Sequence, residues 1–280
     1  SLLRRVREAF DGLGGDSDRP DWLSPGRACD IAFANLCSCQ AEAAARAVVD
    51  PRIDVVAQPM ADRRKKLLMS DMDSTAVTGE TLDELADHAG LKDAIAAITA
   101  RTMNGEVDFV QALTERVAML AKLPAKALEQ TLSRIEMTPG ATALVRTMRA
   151  HGAYTVLVSG GFRSFTETVR NWGGFHEDRG NTLEIKRGRL TGRLIPPIID
   201  AKGKLAALIA IAGQHRIPLS CALAVGDGAN DLEMIQAAGL GIAFHAKPVV
   251  AAQARARIDH GDLTALLYVQ GYRDEEIVRE

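Results

Sequence analysis

The chain has 280 residues, of which 47% are hydrophobic and 25% charged, with a formal net charge of -2. These are the proportions of a folded globular protein, which excludes disordered and fibrous classes, and the length suffices for one large core or two modest ones. Lysines and arginines are scattered among acids and form no basic stripe for a nucleic acid, and no apolar run is long enough to cross a membrane, so a cytoplasmic protein is the default expectation.

Residues 1–65 read as a separate α+β region. The first residues, Ser1 to Phe10, are charged and amphipathic and lack a signal peptide's apolar centre. Spacing predicts a helix over Leu2–Leu13, a strand over Cys29–Phe33, a helix over Ala41–Val49 and a strand over Asp54–Ala57. Turn residues recur from Gly12 to Gly26, which reads as loop. Gly12, Gly14 and Gly15 follow no strand and are not a dinucleotide fingerprint. The basic run Arg63, Arg64, Lys65, Lys66 reads as a solvated linker. Cys29, Cys37, Cys39 and Cys221 lack the spacing of a metal site, and Cys221 lies in an apolar run that reads as core.

From Leu67 onward, three apolar runs each end in a polar loop and lead into a helical pattern. Leu67-Leu68-Met69 ends at Ser70-Asp71. Tyr154-Thr155-Val156-Leu157-Val158 ends at Ser159-Gly160-Gly161. Ala222-Leu223-Ala224-Val225 ends at Gly226-Asp227-Gly228, and a shorter fourth run is Gly241-Ile242-Ala243-Phe244. Such runs predict an α/β fold with buried parallel strands and helices on both faces. Ligands gather outside the carboxyl ends of such strands, so three loops distant in sequence are expected to meet at one site. Residues 80–133 have helical spacing (Leu82, Leu85, Ala86; then Phe109, Val110, Leu113, Val117, Leu120) and are too long for a simple crossover; they read as an inserted helical cap. A smaller insertion at about residues 175–199 reads as a β-hairpin turning at Arg187-Gly188. Residues 66–79 and 134–280 make up the expected catalytic core.

Asp71-Met72-Asp73-Ser74-Thr75 places two carboxylates two residues apart just after a buried strand. One carboxylate can attack phosphorus while its neighbour handles the leaving oxygen's proton and later that of water. Alone, the pair reads as a polar turn with a helix-capping Asp. Gly226-Asp227-Gly228-Ala229-Asn230-Asp231 adds two carboxylates and an amide at another strand end. Clustered carboxylates repel unless protonated or bound to a cation, and an all-oxygen ligand set suits Mg2+. Ser159-Gly160-Gly161 offers a hydroxyl and unhindered backbone N–H groups to a phosphate. A lysine would complete that site, and both Lys202 and Lys204 are placed to reach it. His88, His151, His176, His215, His245 and His260 are dispersed and read as structural.

Asp71–Thr75, Ser159–Gly161, a lysine and Gly226–Asp231, in this order after three strands, resemble the four motifs of haloacid dehalogenase-like (HAD) phosphatases. The Asp-Met-Asp-Ser-Thr variant and the run Val225–Asp231 resemble the phosphoserine phosphatase branch. The match covers about residue 66 to the C-terminus. The resemblance implies a Rossmann-like parallel sheet sandwiched by helices, with an inserted helical cap. It implies Mg2+-dependent hydrolysis of O-phospho-L-serine to L-serine and phosphate through an aspartyl phosphate, the last step of serine biosynthesis. Asp71 would be the nucleophile and Asp73 the general acid/base. Mg2+ would be held by the Asp71 and Asp227 carboxylates and the Asp73 backbone carbonyl, with Asp231 supporting the site. Ser159, Gly160 and a lysine would bind phosphoryl oxygens; Lys204 has the family's spacing to Asp227, and Lys202 is the alternative. Asn230 would position phosphate or the metal's waters. In the cap, Glu80 would meet the substrate's ammonium and Arg116 its carboxylate, with Met103 and Phe109 covering it. For residues 1–65 the resemblance implies an ACT-like region, here with no strand ahead of Leu2. ACT-like domains often pair, which leaves a homodimer open. Two alternatives also stay open: a HAD-type phosphotransferase (to homoserine, for example) or phosphatase acting on another small phosphate ester, and a serine sensor whose phosphatase site is idle.

Overall fold

The computed structural model describes residues 2–279; Ser1 and Glu280 lie outside the described residues. The chain begins with helix α1 (Leu2–Asp11), four short strands β1 (Asp16–Ser17), β2 (Asp21–Ser24), β3 (Ala28–Asp30) and β4 (Phe33–Ala34), and helix α2 (Ser38–Val48). Strand β5 (Leu67–Ser70) opens the main sheet. Helices α3 (Thr81–Asp87), α4 (Lys92–Met103), α5 (Phe109–Met119) and α6 (Lys126–Leu132) follow as one insertion. Then come α7 (Ala141–Ala150), β6 (Tyr154–Phe162), α8 (Arg163–Gly173), β7 (Glu177–Lys186), β8 (Arg189–Ile195) and α9 (Ala201–Gln214). The chain finishes with β9 (Ala222–Gly226), α10 (Leu232–Ala237), β10 (Leu240–Phe244), α11 (Pro248–Ala251), β11 (Ala256–Ile258) and α12 (Ala265–Val269). Among the described residues no helix is long and apolar enough to cross a membrane.

The sheet runs β11-β10-β9-β5-β6-β7-β8, and every pair is parallel except β7 with β8. Successive strand residues face opposite sides, so each central strand feeds two cores. Leu67, Met69, Val156, Val158, Ala222 and Ala224 pack with Leu208 and Ile211 of α9. Leu68, Leu157, Leu223 and Val225 pack in the other core, with Leu144 and Met148 of α7, Phe165 of α8 and Leu266 of α12. These strands are buried on both faces, which is why they read as unbroken apolar runs. From β5 the chain passes to β6 on one side and later returns to β9 on the other. The crevice beyond Ser70 and Gly226 is therefore the topological switch point where ligands are expected.

Three expectations need correction. The hairpin turns at Arg187-Gly188 as read, but it is not wholly an insertion: the first half of β7 pairs in parallel with β6, and its second half turns back against β8. Its far end pairs with the helical insertion, where Lys122 N–H donates to Leu190 O (2.8 Å) and Leu190 N–H to Leu123 O (2.9 Å). Second, Gly12–Gly26 contains β1 and β2, whereas Asp54–Ala57 joins no sheet. Its polar groups bond elsewhere: the Asp54 carboxylate accepts the N–H groups of the distant Asp259 (2.7 Å) and Gly261 (2.7 Å), and Arg46 donates to Val55 O (2.6 Å). Third, the basic run is only partly solvated: Arg64 and Lys66 are exposed, but Arg63, Arg64 and Lys65 all find partners. Arg63 forks onto Asp30 at 2.6 and 2.7 Å, Arg64 pairs with Glu276, and Lys65 Nζ donates to Asp62 O and Ser220 O. In extended chain, neighbouring side chains point opposite ways, so the run meets acceptors on several sides. In the N-terminal region Val6 and Phe10 pack on Ala41 and Ala45, and Cys37 is disulfide-bonded to Cys39. Cys221 is buried as expected.

Candidate active site

Asp71 leaves the end of β5, and its N–H still donates to Val225 O at 3.0 Å. The chain then curls through Met72–Ala76, with Ser74 in the left-handed region (φ 54), and Val77 N–H closes the loop on Met72 O at 2.9 Å. That curl aims Asp71 and Asp73 at one cavity. Asp227 enters it from the end of β9, Ser159, Gly160 and Gly161 from β6, and Glu80, Met103, Phe109 and Arg116 from the insertion; Asn230 completes the lining. The cavity measures about 30 Å³, room for water but not for a phosphate ester.

The floor is a buried charge cluster. Asp71, Asp227 and Asp231 are buried and offer carboxylate oxygens within 4.8 Å of one another. Lys204 is fully buried, and its Nζ donates to Asp71 Oδ1 and Asp231 Oδ1, each at 2.6 Å. Burial alone would lower the lysine's pKa, but the Asp231 and Asp71 carboxylates outweigh it and hold Lys204 as a cation. The second Asp231 oxygen accepts Gly228 N–H at 3.1 Å. The Asp227 carboxylate, 3% exposed, has no hydrogen-bond donor among the described residues. Burial, then the charges of Asp71 and Asp231, push its pKa well above the usual carboxylate range. Burial and Asp231 do the same to Asp71. One ammonium among these acids leaves negative charge uncompensated, and three close oxygen donors fit a hard divalent cation.

Asp73 turns away from that cluster. Its Oδ1 accepts Thr81 N–H at 2.8 Å from the first turn of α3, and its Oδ2 accepts the Ser159 hydroxyl at 3.2 Å. Burial raises its pKa against the lowering effect of those donors, which favours the protonated carboxyl. Gly161 N–H holds Ser159 Oγ at 2.8 Å, and any Cβ on Gly161 would come within 2.8 Å of Asp73 Oδ2. A Cβ on Gly160 would run into the Phe109 ring. Asn230 Oδ1 is buried without a partner among the described residues, as a group waiting for a ligand or water would be.

The insertion supplies the walls. Glu80 Oε1 accepts the Ser74 hydroxyl at 2.8 Å; burial first, and then the charge of Asp73, push its carboxyl up to about 7. Arg116 is 2% exposed, with Nε donating to Ala112 O at 3.1 Å and Nη1 to Thr99 Oγ1 at 2.8 Å. Thr99 in turn donates to Asp83 Oδ1 at 2.7 Å.

Lys204 is the lysine at the site. Lys202 is exposed, because two residues along α9 is more than half a turn. The sequence reading missed Thr81, Thr99, Asp83 and Asn181. Asn181 Nδ2 donates to Gly160 O at 2.8 Å and its Oδ1 accepts Ile199 N–H at 2.7 Å, bracing the Ser159 loop. Its signal was an Asn buried in a strand, which sequence alone does not separate from an exposed one.

A family model described as haloacid dehalogenase-like hydrolase matches residues 68–236. A phosphoserine phosphatase of Streptomyces coelicolor is 43% identical over 225 residues, covering 80% of this chain and 55% of that protein. One from Lactococcus lactis is 40% identical over 213 residues, covering 76% of this chain and 99% of that protein. The chain thus spans little more than half of the longer relatives and nearly all of the shorter. A solved phospho-aspartyl intermediate analogue of phosphoserine phosphatase superposes with a TM-score of 0.71 at 37% identity, covering 73% of this chain and 98% of the other. The chain belongs to the haloacid dehalogenase-like hydrolases, in the branch that holds the phosphoserine phosphatases.

Proposed function

We propose that this chain hydrolyses O-phospho-L-serine to L-serine and phosphate with Mg2+. The observation that carries the reading is that one cavity is lined by Asp71 and Asp227 below and by Glu80 and Arg116 at its walls. A phosphoryl group needs the first pair. A zwitterionic amino acid needs both of the second, a carboxylate for its ammonium and a guanidinium fork for its carboxylate. The relatives from Streptomyces coelicolor and Lactococcus lactis are phosphoserine phosphatases, which agrees with that substrate.

Asp71 attacks phosphorus, and the bond from phosphorus to the serine oxygen breaks, leaving an aspartyl phosphate. The Asp73 carboxyl gives its proton to that oxygen. As a carboxylate, Asp73 then takes a proton from the water that attacks phosphorus, which frees phosphate and restores Asp71. Lys204, Ser159 and the Gly160 N–H hold the phosphoryl oxygens. Asp71, Asp227 and the Asp73 carbonyl would hold Mg2+, with Asp231 behind them; the bound ion neutralises charge on the phosphoryl group and among the carboxylates. Residues 80–133 act as a lid that opens for substrate and closes to exclude water before attack.

The test is phosphate release from O-phospho-L-serine and glycerol phosphate in the same Mg2+ buffer. Faster turnover of the amino-acid ester supports the assignment. Glycerol phosphate turning over as well or better contradicts it.

A further inference from the structure

We infer that Thr99 and Asp83 position the Arg116 guanidinium, and that this relay sets the preference for phosphate esters bearing a carboxylate. The inference rests on the reading of Arg116 given above. The three residues come from three helices of the insertion, Asp83 from α3, Thr99 from α4 and Arg116 from α5. A threonine hydroxyl has one proton. It accepts from Arg116 Nη1 at 2.8 Å, so it sends its own proton onward. Asp83 Oδ1 at 2.7 Å is nearer than the Ile95 carbonyl at 3.1 Å, and a carboxylate is the stronger acceptor.

The spacing has a consequence for the ligand. Among the described residues Arg116 makes no direct ion pair with Asp83. A direct bidentate pair would consume the planar fork that a substrate carboxylate needs. With the hydroxyl interposed, burial works against the guanidinium's charge and the negative charge of Asp83 works for it, yet only one Nη1 proton is spent on it. A guanidinium offers five N–H donors; after Ala112 O and Thr99, the rest, both on Nη2 included, have no partner among the described residues. Arg116 lines the cavity, so those donors are open to an acceptor placed there.

The experiment compares kcat/KM for O-phospho-L-serine and for O-phosphoethanolamine, which lacks only the carboxylate, in wild type, Thr99→Val, Thr99→Ser and Asp83→Asn. The ratio between the substrates does not depend on the fraction of folded enzyme, so partial misfolding of a variant leaves the readout intact. Wild type favours phosphoserine. Thr99→Val lowers the ratio roughly ten- to hundredfold, as expected for a lost hydrogen bond to a charged group, mainly through KM for phosphoserine. Thr99→Ser restores the ratio, and Asp83→Asn lowers it in the same direction. An unchanged ratio in Thr99→Val, or equal losses on both substrates, overturns the relay. A wild type with no preference for phosphoserine overturns the role of Arg116 itself, and the relay with it.

Discussion

Replacing Lys204 with methionine keeps most of the side-chain volume but removes the cation hydrogen-bonded to two buried carboxylates at 2.6 Å each. Breaking a buried ion pair from one side costs about 3–5 kcal/mol. At about 2.1 cal/mol/K of unfolding entropy per residue, the 280 residues give roughly 0.6 kcal/mol/K, so Tm falls by about 5–8 °C. The deficit depends on pH. Asp71, which accepts from Lys204, has a folded-state pKa above its unfolded one. Its contribution is fully present below the unfolded carboxylate range and is lost as pH rises through the raised folded value. The part of the Lys204→Met deficit that comes from Asp71 therefore narrows as pH falls and widens as pH rises, and Mg2+ recovers part of the deficit by binding the folded state. Calorimetry at acidic and neutral pH, with EDTA and with Mg2+, reads all of this. Phosphate release falls by about a hundredfold or more as a phosphoryl contact is lost. A variant that melts with the wild type at neutral pH in EDTA refutes the reasoning, because the carboxylates would not then depend on Lys204.

Two further outcomes follow from the walls of the cavity. Glu80 titrates at about 7, so it loses its charge as pH falls. KM for O-phospho-L-serine is expected to rise as pH drops from roughly 8 to 6, and Glu80→Gln is expected to flatten that slope; a wild-type KM independent of pH would speak against an ammonium at Glu80. A Cβ at Gly160 meets the Phe109 ring, so Gly160→Ala is expected to keep the insertion from seating and to lower kcat/KM by about tenfold or more. Gly160→Ala/Phe109→Leu should recover part of the loss, and steady-state kinetics showing no recovery would place the defect elsewhere.

The central strands and their loops were legible because burial on both faces writes itself as an apolar run, and each run ended at a polar cluster that the sheet brings to one crevice. The floor of the site followed directly. Strand β11 was not: three residues with an arginine in the middle, Ala256-Arg257-Ile258, carry no signature without β10 beside them. The N-terminal strands are two to four residues long, too short for period-two alternation to register. The resemblance favoured Lys204 over Lys202 by its spacing to Asp227, and the physical reason lies in where α9 begins, which its Asp200 N-cap fixes by accepting Gly203 N–H at 2.8 Å. Thr99 and Asp83 were invisible for another reason. A threonine within a helix and an acid in a first turn are ordinary at those places, and their meaning comes from packing three helices together.

The most direct measurement of the central claim is phosphate release from O-phospho-L-serine by wild type and Asp71→Asn, with Mg2+ and after EDTA. The account predicts release by the wild type, its abolition by EDTA, and none from the variant even with Mg2+. Undiminished release by Asp71→Asn, or by the wild type stripped of metal, would contradict it.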